Sequence, residues 1–450
     1  MHTRFIALLV LLIHGAALAG FRAGVATVTI TPTEPTWAAG YADRNRPISE
    51  TLQDLYAKAL VLEDADGRRI VIVTTDLLGL PKNIADPVAA EIARRHNLTR
   101  DQIVLSSSHT HCGPVLREAL VDIYPMTPEH WAVVERYSRT LHDKLVAVVD
   151  DAMKTLAPAK IAHGLGRATF AVNRRENKEH LIGPGFVPKG PVDHDVPVLC
   201  VRSADGTLRA VLCGYACHCT TLNFYQWCGD YAGYTQEYLE AAHPGATALF
   251  FAGCGADANP LPRRKVELAQ KYGRQLADAV EAVLGSEMKA IDGPLRSAFE
   301  TITLPLDKLP DRAALEQMRD KGNRYQASLA RRMLARLDAG QDIPRDYPYP
   351  VQAVQLGDGP TLVTLGGEVV VDYALRLKRE LGPQRTWMMA YANDVMAYIP
   401  SVRVLEEGGY EGETSMVVYG LPGKWSPKIE EMIIASVHRL VNTVRPSGAR

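Results

Sequence analysis

Residues 103–114 read Ile103-Val104-Leu105-Ser106-Ser107-Ser108-His109-Thr110-His111-Cys112-Gly113-Pro114. The apolar run Ile103–Leu105 predicts a strand, and side chains along a strand repeat every two residues. On that reading His109 and His111 leave one face of the strand's C-terminal end, placed to hold or flank a metal ion, and Gly113-Pro114 stops the strand. A lone His-x-His is a weak signal, because polar residues at strand ends are ordinary.

The flanking segments decide the fold class. Upstream, Val25–Ile30, Ala57–Leu62 and Ile70–Thr74 alternate as strands, the last delivering Asp76, and Pro87–His96 has helical spacing. Downstream, Glu129–Leu156 carries Trp131, Val134, Tyr137, Leu141, Leu145 and Val148 at helical intervals. Val196–Arg202 and Leu208–Tyr215 pair across Ala204-Asp205-Gly206. Ala248–Phe251 reads as a buried strand between helices Thr235–Ala242 and Val266–Leu284. Arg312–Leu337 is a charged helix with a solvated face, Asp346–Pro350 a connector, and Val351–Leu365 strand-like. Val369–Leu381 and Pro427–Val441 are helical. This alternation predicts an α/β protein of mixed sheets layered with helices. No linker divides it, which predicts one domain over residues 20–450.

The chain has 450 residues, 47% of them hydrophobic, and a formal net charge of −1, enough for a large core. That balance gives no electrostatic footprint for nucleic acid or an anionic membrane. Arg4, the apolar run Phe5–Leu12 and the small-x-small Ala17-Leu18-Ala19 predict a signal peptide cleaved after Ala19, hence a secreted or periplasmic protein. No later segment approaches the roughly 18 apolar residues of a membrane helix. Seven cysteines lie between Cys112 and Cys254. Export permits disulfides, the odd count leaves at least one thiol free, and buried apolar thiols are the ordinary case. No CxxC pair occurs.

Further polar residues recur where strands end. His218 follows Leu212–Cys217, Asp257 and Asn259 follow Ala248–Phe251, and Glu368 follows Gly366-Gly367 at a predicted helix start. Asn393, Asp394 and Tyr398 follow the run Trp387–Tyr391. Singly each has a structural explanation, such as a hydrogen-bonded core histidine or a carboxylate at a helix dipole. Together, two histidines and a glutamate at strand ends match the N/O donor set of catalytic zinc. In open α/β sheets the functional crevice lies beyond those ends.

These motifs, in order, resemble the catalytic domain of the neutral/alkaline non-lysosomal ceramidases and their bacterial relatives. The resemblance runs from Ala23-Gly24-Val25 and Thr29-Ile30-Thr31-Pro32 through Asp76, His109-Thr110-His111, Asn173-Arg174-Arg175 and Ala216-Cys217-His218. It continues through Gly229–Tyr234, Gly253–Pro260, Gly366-Gly367-Glu368, Asn393–Pro400 and Gly408–Gly412. The resemblance implies a zinc-dependent amidase that cleaves an N-acyl bond of a small-molecule or lipid-like substrate. It implies His109, His218, Glu368 and Tyr398 as zinc ligands. It implies His111 as the second active-site histidine, a proton carrier, and Arg174 as a residue lining the substrate site. Three departures stand out. Asn259 occupies the place of a family serine, where its amide is able to donate to an oxyanion. Cys112 follows the histidine pair where serine is usual, and the immunoglobulin-like C-terminal domain of true ceramidases is absent. These departures place the chain among ceramidase-like relatives. Three other readings stay open: an exported binding protein with a structural zinc, an esterase or deacylase on a non-lipid substrate, and a thiol redox protein using Cys217, Cys219 or Cys254.

Overall fold

The computed structural model describes residues 20–183 and 185–445. The predicted signal peptide lies outside the described residues. Four layers stack in the order helix, sheet, sheet, helix. The larger sheet runs in the spatial order Thr247–Ala252, Leu208–Tyr215, Asp195–Ser203, Ala157–Arg167, Phe21–Thr29, Tyr56–Glu63, Arg69–Thr75 and Ile103–Ser107. Its middle pairs are antiparallel, and the pair at each end is parallel. The second sheet pairs Arg296–Pro305, Asp346–Gln355, Thr361–Leu365 and Thr386–Met389.

The period of two sorts each strand's side chains between layers. Leu60, Leu62, Ile72, Val104, Leu212, Leu249 and Phe251 of the large sheet meet Val354, Leu362, Trp387 and Met389 of the second in one dry interior. On the outer face of the large sheet, Val61, Val71, Val73, Ile103 and Leu105 pack under α1 (Lys82–His96) and α2 (Pro128–Lys154). Val211, Cys213, Ala248 and Phe250 pack under α3 (Asp230–Ala242) and α4 (Val266–Leu284). The outer face of the second sheet, with Val351, Ala353 and Val363, is covered by α7 (Val371–Leu381) and α8 (Ile429–Val444).

The large sheet curls enough for its terminal strands, Thr247–Ala252 and Ile103–Ser107, to touch. That curl brings the chain after Ser107 beside the chain after Tyr215, although these strands are far apart in the sheet order.

Several expectations are corrected. The charged stretch is two helices, α5 (Arg312–Lys321) and α6 (Arg324–Asp338), because Gly322 ends one and the Asn323 side chain caps the other. Asp346–Pro350 is strand rather than connector. Its prolines are tolerated because residues 346–350 pair on one side only, with Thr301–Pro305. Val351–Leu365 is two strands joined by a turn with Gly357 at φ +54°. α1 begins at Lys82, and Pro87 falls inside it. Among the described residues no helix is long and apolar enough to cross a membrane. All seven cysteines are buried and free.

Candidate metal centre

Four separate segments deliver the site. The strand Ile103–Ser107 ends before the histidines, so the two imidazoles do not meet by strand alternation as expected. Instead His109 takes a left-handed backbone, φ 62°, and the chain folds back over the centre. Such a conformation is strained for a non-glycine residue and persists where the surroundings over-determine it. A bridge between Thr110 and Cys219 and the bond from His111 N to Cys219 O then lock this turn against the His218 turn. His218 itself lies three residues past the end of its strand at Tyr215. Glu368 and Tyr398 come from a short parallel pair, Glu368–Val369 with Tyr398–Ile399, whose register sets those two residues side by side. Glu368 therefore precedes α7 rather than starting it.

The donor atoms converge. His109 Nε2 and His218 Nε2 lie 3.1 Å and 3.0 Å from Glu368 Oε2. His111 Nε2 is 3.1 Å from His109 Nε2, and the Tyr398 hydroxyl is 3.2 Å from His218 Nε2. His109, His218, Glu368 and Tyr398 are all at most 3% exposed. His109 Nδ1 contacts Leu78 O at 2.7 Å, and His218 Nδ1 contacts Gly255 O at 3.0 Å. A carbonyl only accepts, so each Nδ1 carries the ring proton and each Nε2 presents a lone pair. Burial, with Arg174 beside it, pushes His218 down to about 4, so the ring is neutral near pH 7. Burial raises Glu368, and His109 and His218 lower it, on balance well below the usual carboxylate range, an effect those rings exert when they carry a proton at Nε2. Its Oε2 has no hydrogen-bond donor. Two imidazole nitrogens and a carboxylate oxygen packed this closely call for a proton or a metal cation between them, and they are the N/O donor types of a metal site. The residues fit a metal.

Neighbours outside the donor set hold it in place. The Tyr419 hydroxyl donates to Glu368 Oε1. The Tyr391 ring stacks on His109 with centroids 4.2 Å apart. Burial, together with the surrounding rings, keeps His111 neutral, well below the usual histidine range. Its ring rests on Gly40, at φ +98°, where a Cβ would come within 2.4 Å of Nδ1. Only glycine fits both that angle and that contact.

Arg174 points inward. Its Nη2 donates to the Tyr398 hydroxyl at 3.0 Å, and Nη1 lies 3.4 Å from both His218 Nε2 and Asn259 Oδ1. Glu411 fixes the guanidinium through Nε at 2.7 Å and also binds Arg175 at 2.6 Å. Asn259 Oδ1 accepts from Arg174 and from the Thr220 hydroxyl, which turns the amide NH2 into the group left to donate. A cavity of about 770 Å³ opens here, lined by Arg174, Asn259, Glu411 and Tyr410. His109, His111, Arg174, His218, Asn259, Glu368 and Tyr398 are thus brought to one place. Tyr419, Tyr391, Glu411 and Thr220 were missed. Only Glu411 carried a signal, inside the Gly408–Gly412 motif.

Asp257 is not at the centre. It accepts from Val371 N and Asn173 Nδ2 and so ties the Asn259 loop to α7. Asn393 bonds Leu105 N and Gln352, joining the two sheets. The thiols are equally remote from redox chemistry: burial pushes Cys112 up to about 12, and Cys217 and Cys219 well above the usual range.

Known proteins share this architecture. The chain superposes on the neutral ceramidase from Pseudomonas aeruginosa with a TM-score of 0.71, 19% identity, and coverage of 94% of this chain and 75% of that one. A structure described as ceramidase complexed with C2 gives a TM-score of 0.70, 18% identity, and coverage of 94% and 76%. In sequence it is 24% identical to neutral ceramidase A of Dictyostelium discoideum over 208 residues, 43% of this chain and 28% of that protein. For neutral ceramidase B of the same organism the figures are 25% over 199 residues, 41% and 26%. The matched stretch thus spans under a third of either relative. A sequence model of the neutral/alkaline non-lysosomal ceramidase N-terminal region matches residues 21–259, more than half of the chain. By that match the chain belongs to the neutral/alkaline non-lysosomal ceramidase family.

Proposed function

We propose that this protein is an exported zinc-dependent hydrolase that cleaves an N-acyl amide bond, with residues 20–450 as one catalytic unit. The observation that carries it is the donorless Glu368 Oε2 set between two imidazole lone pairs. His109, His218, Glu368 and Tyr398 would hold the ion. Bound there, zinc would acidify a water and polarise the scissile carbonyl. The open cavity beside the donor set supports a catalytic reading, in which a water would join the four protein ligands as a fifth.

The chain's own residues supply the rest. Arg174, held as a cation by Tyr398 and Glu411 against the cost of burial, orients the substrate's oxygen atoms. The Asn259 amide donates to the oxygen that gains charge as the carbonyl is attacked. His111, neutral in its buried setting, takes a proton at Nε2, the nitrogen facing the centre, and passes it to the leaving amine. The asparagine at the family's serine position favours an N-acyl substrate other than ceramide.

The test is metal analysis with a substrate screen of ceramide, N-acyl amino acids and simple esters, with and without chelator. The expected outcome is about one zinc per chain, turnover of an N-acyl substrate lost on chelation and restored by zinc, and no metal retained by His109→Ala. Turnover that persists in metal-free protein would overturn the mechanism. Preference for esters would move the reading to a deacylase, and ceramide turnover would overturn the role given to Asn259.

A further inference from the structure

Arg324, Ser328 and Arg332 stand four residues apart on α6 and so form one stripe along it. A polar stripe of this kind ordinarily meets water. Here each head bonds the chain instead. Arg324 Nη2 donates to Ala42 O at 2.7 Å. Ser328 Oγ donates to Asp122 Oδ1 at 2.8 Å, and Arg332 Nη2 donates to Asp122 Oδ2 at 2.5 Å and to Gly420 O at 2.9 Å. The three segments reached are distant in sequence, but each adjoins a support of the metal centre. Ala42 lies just past Gly40, on which the His111 ring rests. Asp122 lies in the segment that leaves the His109–His111 turn. Gly420 follows Tyr419, which donates to Glu368 Oε1.

The Gly420 contact has the most direct consequence. Residues 410–420 form one loop, which carries Tyr410 and Glu411 at the cavity and Tyr419 on Glu368. Its turns are closed by its own amides: Val418 N and Tyr419 N donate to Ser415 O, and Gly420 N donates to Val417 O. At the Tyr410 end Glu411 ties the loop to Arg174 and Arg175. At the Tyr419 end the tie is Arg332. Nη2 carries two hydrogens, one for Gly420 O and one for Asp122, which is only 8% exposed and fixes where the guanidinium points. Gly420 has φ +74°, and a Cβ there would come within 2.4 Å of Arg332 Nη2. Only glycine accepts that angle and lets the guanidinium reach the carbonyl.

We propose that Arg332 is a positioning residue of the metal centre: from α6 it fixes Gly420 and so holds the Tyr419 hydroxyl on Glu368. Arg332 is neither a donor nor part of the cavity lining. The proposal rests on the metal-centre reading for its consequence, metal affinity, and not for the loop contact itself. An arginine with a purely structural role would stabilise α6 without reference to Tyr419. The two roles part on coupling, because a residue that acts through Tyr419 has little left to lose once that hydroxyl is gone.

The test is a double-mutant cycle on the full-length protein, read by competition for zinc with a chromogenic chelator. Arg332→Met alone should weaken zinc binding ~10-fold, the low end for an outer contact. In a Tyr419→Phe background the same change should cost less than ~2-fold. Ser328→Ala removes the other bond to Asp122 but spares the Gly420 contact, so its zinc affinity should stay within ~2-fold of the parent. Arg332→Met leaves Asp122 buried without its cation, so Asp122→Leu/Arg332→Met, apolar at both positions, is measured beside it and should show the same loss. In metal-free protein, hydrogen exchange at amides 418–420 should be at least ~5-fold faster in Arg332→Met than in the parent. Additive losses in the cycle, equal weakening by Ser328→Ala, parent-like zinc affinity in the apolar pair, or unchanged exchange at 418–420 would each overturn the proposal. Parent protein that binds no zinc would instead sink the metal-centre reading, and the exchange result would then decide the Arg332 contact by itself.

Discussion

Tyr419 and Gly40 act on the centre from opposite sides, and their substitution separates holding the metal from using it. Tyr419→Phe removes the hydroxyl that orients Glu368 while leaving its ring in place. Loss of such an outer contact typically costs 10–100-fold in metal affinity, so competition against a chromogenic chelator should show a shift of ~10-fold or more. Gly40→Ala drives a methyl into the His111 ring and strains the backbone, but touches no metal donor. Metal content should stay at that of the parent while kcat falls ~100-fold, the usual scale for a displaced proton carrier. Equal loss of metal and turnover would mean that His111 is itself a ligand. At this scale the sequence was informative about which residues converge and silent about their supports. His109, His218, Glu368 and Tyr398 are chemically conspicuous residues in short motifs. Tyr419 is an ordinary tyrosine until the fold sets it against Glu368, and no local pattern encodes that contact.

Among the elements, legibility followed local physics. Strands with an apolar period, such as Tyr56–Glu63 and Arg69–Thr75, lay close to their expected bounds. The strand Ala157–Arg167 escaped because Pro158, Gly164 and Gly166 interrupt its pattern. The two glycines are there for packing: a Cβ on either would strike Val283 of α4, at 2.4 Å and 2.9 Å. The division between α5 and α6 was hidden by continuous helical periodicity and is made by a cap. Asn323 accepts from Tyr325 N and Gln326 N, with the Gln326 side chain answering the Asn323 amide. Asn323→Ala should therefore destabilise α6 by about 1 kcal/mol, read as a lower urea midpoint, whereas Asn323→Gly should cost only a few tenths. Equal loss from both would show that the packing of α6, not its cap, sets the boundary.

For the molecule as a whole, buried acids contribute a distinct response to pH. Burial raises Asp76, Asp230 and Asp257 to about 6 and Asp394 to about 7, from an ordinary value of 3.8. Between those limits the folded chain keeps protons on these four acids that the unfolded chain has released, so their contribution to stability falls as pH rises from about 4 to about 7, while His218, held at about 4, contributes the opposite slope over the part of that window below its ordinary 6.5. Asp394 gives the cleanest test, because one oxygen accepts from Tyr347 and the other has no partner. Asp394→Asn keeps an acceptor for Tyr347 and removes the buried charge. Its gain over the parent should be near zero at pH 4.5 and at least ~1 kcal/mol at pH 8, by urea unfolding. A gain independent of pH would refute the electrostatic cause.

The spacing of the four donors along the chain also orders events in time. His109 and His218 lie within residues 21–259, the stretch that matches the family model, but Glu368 and Tyr398 come from much later in the chain. Chains fold roughly as they emerge, N-terminal parts first. The large sheet can thus be complete while only half the coordination set exists. A nascent chain carries the imidazoles of His109, His111 and His218 without the Glu368 carboxylate to balance a cation. On the proposed zinc reading, the full four-donor set would therefore be offered to metal only by the finished protein.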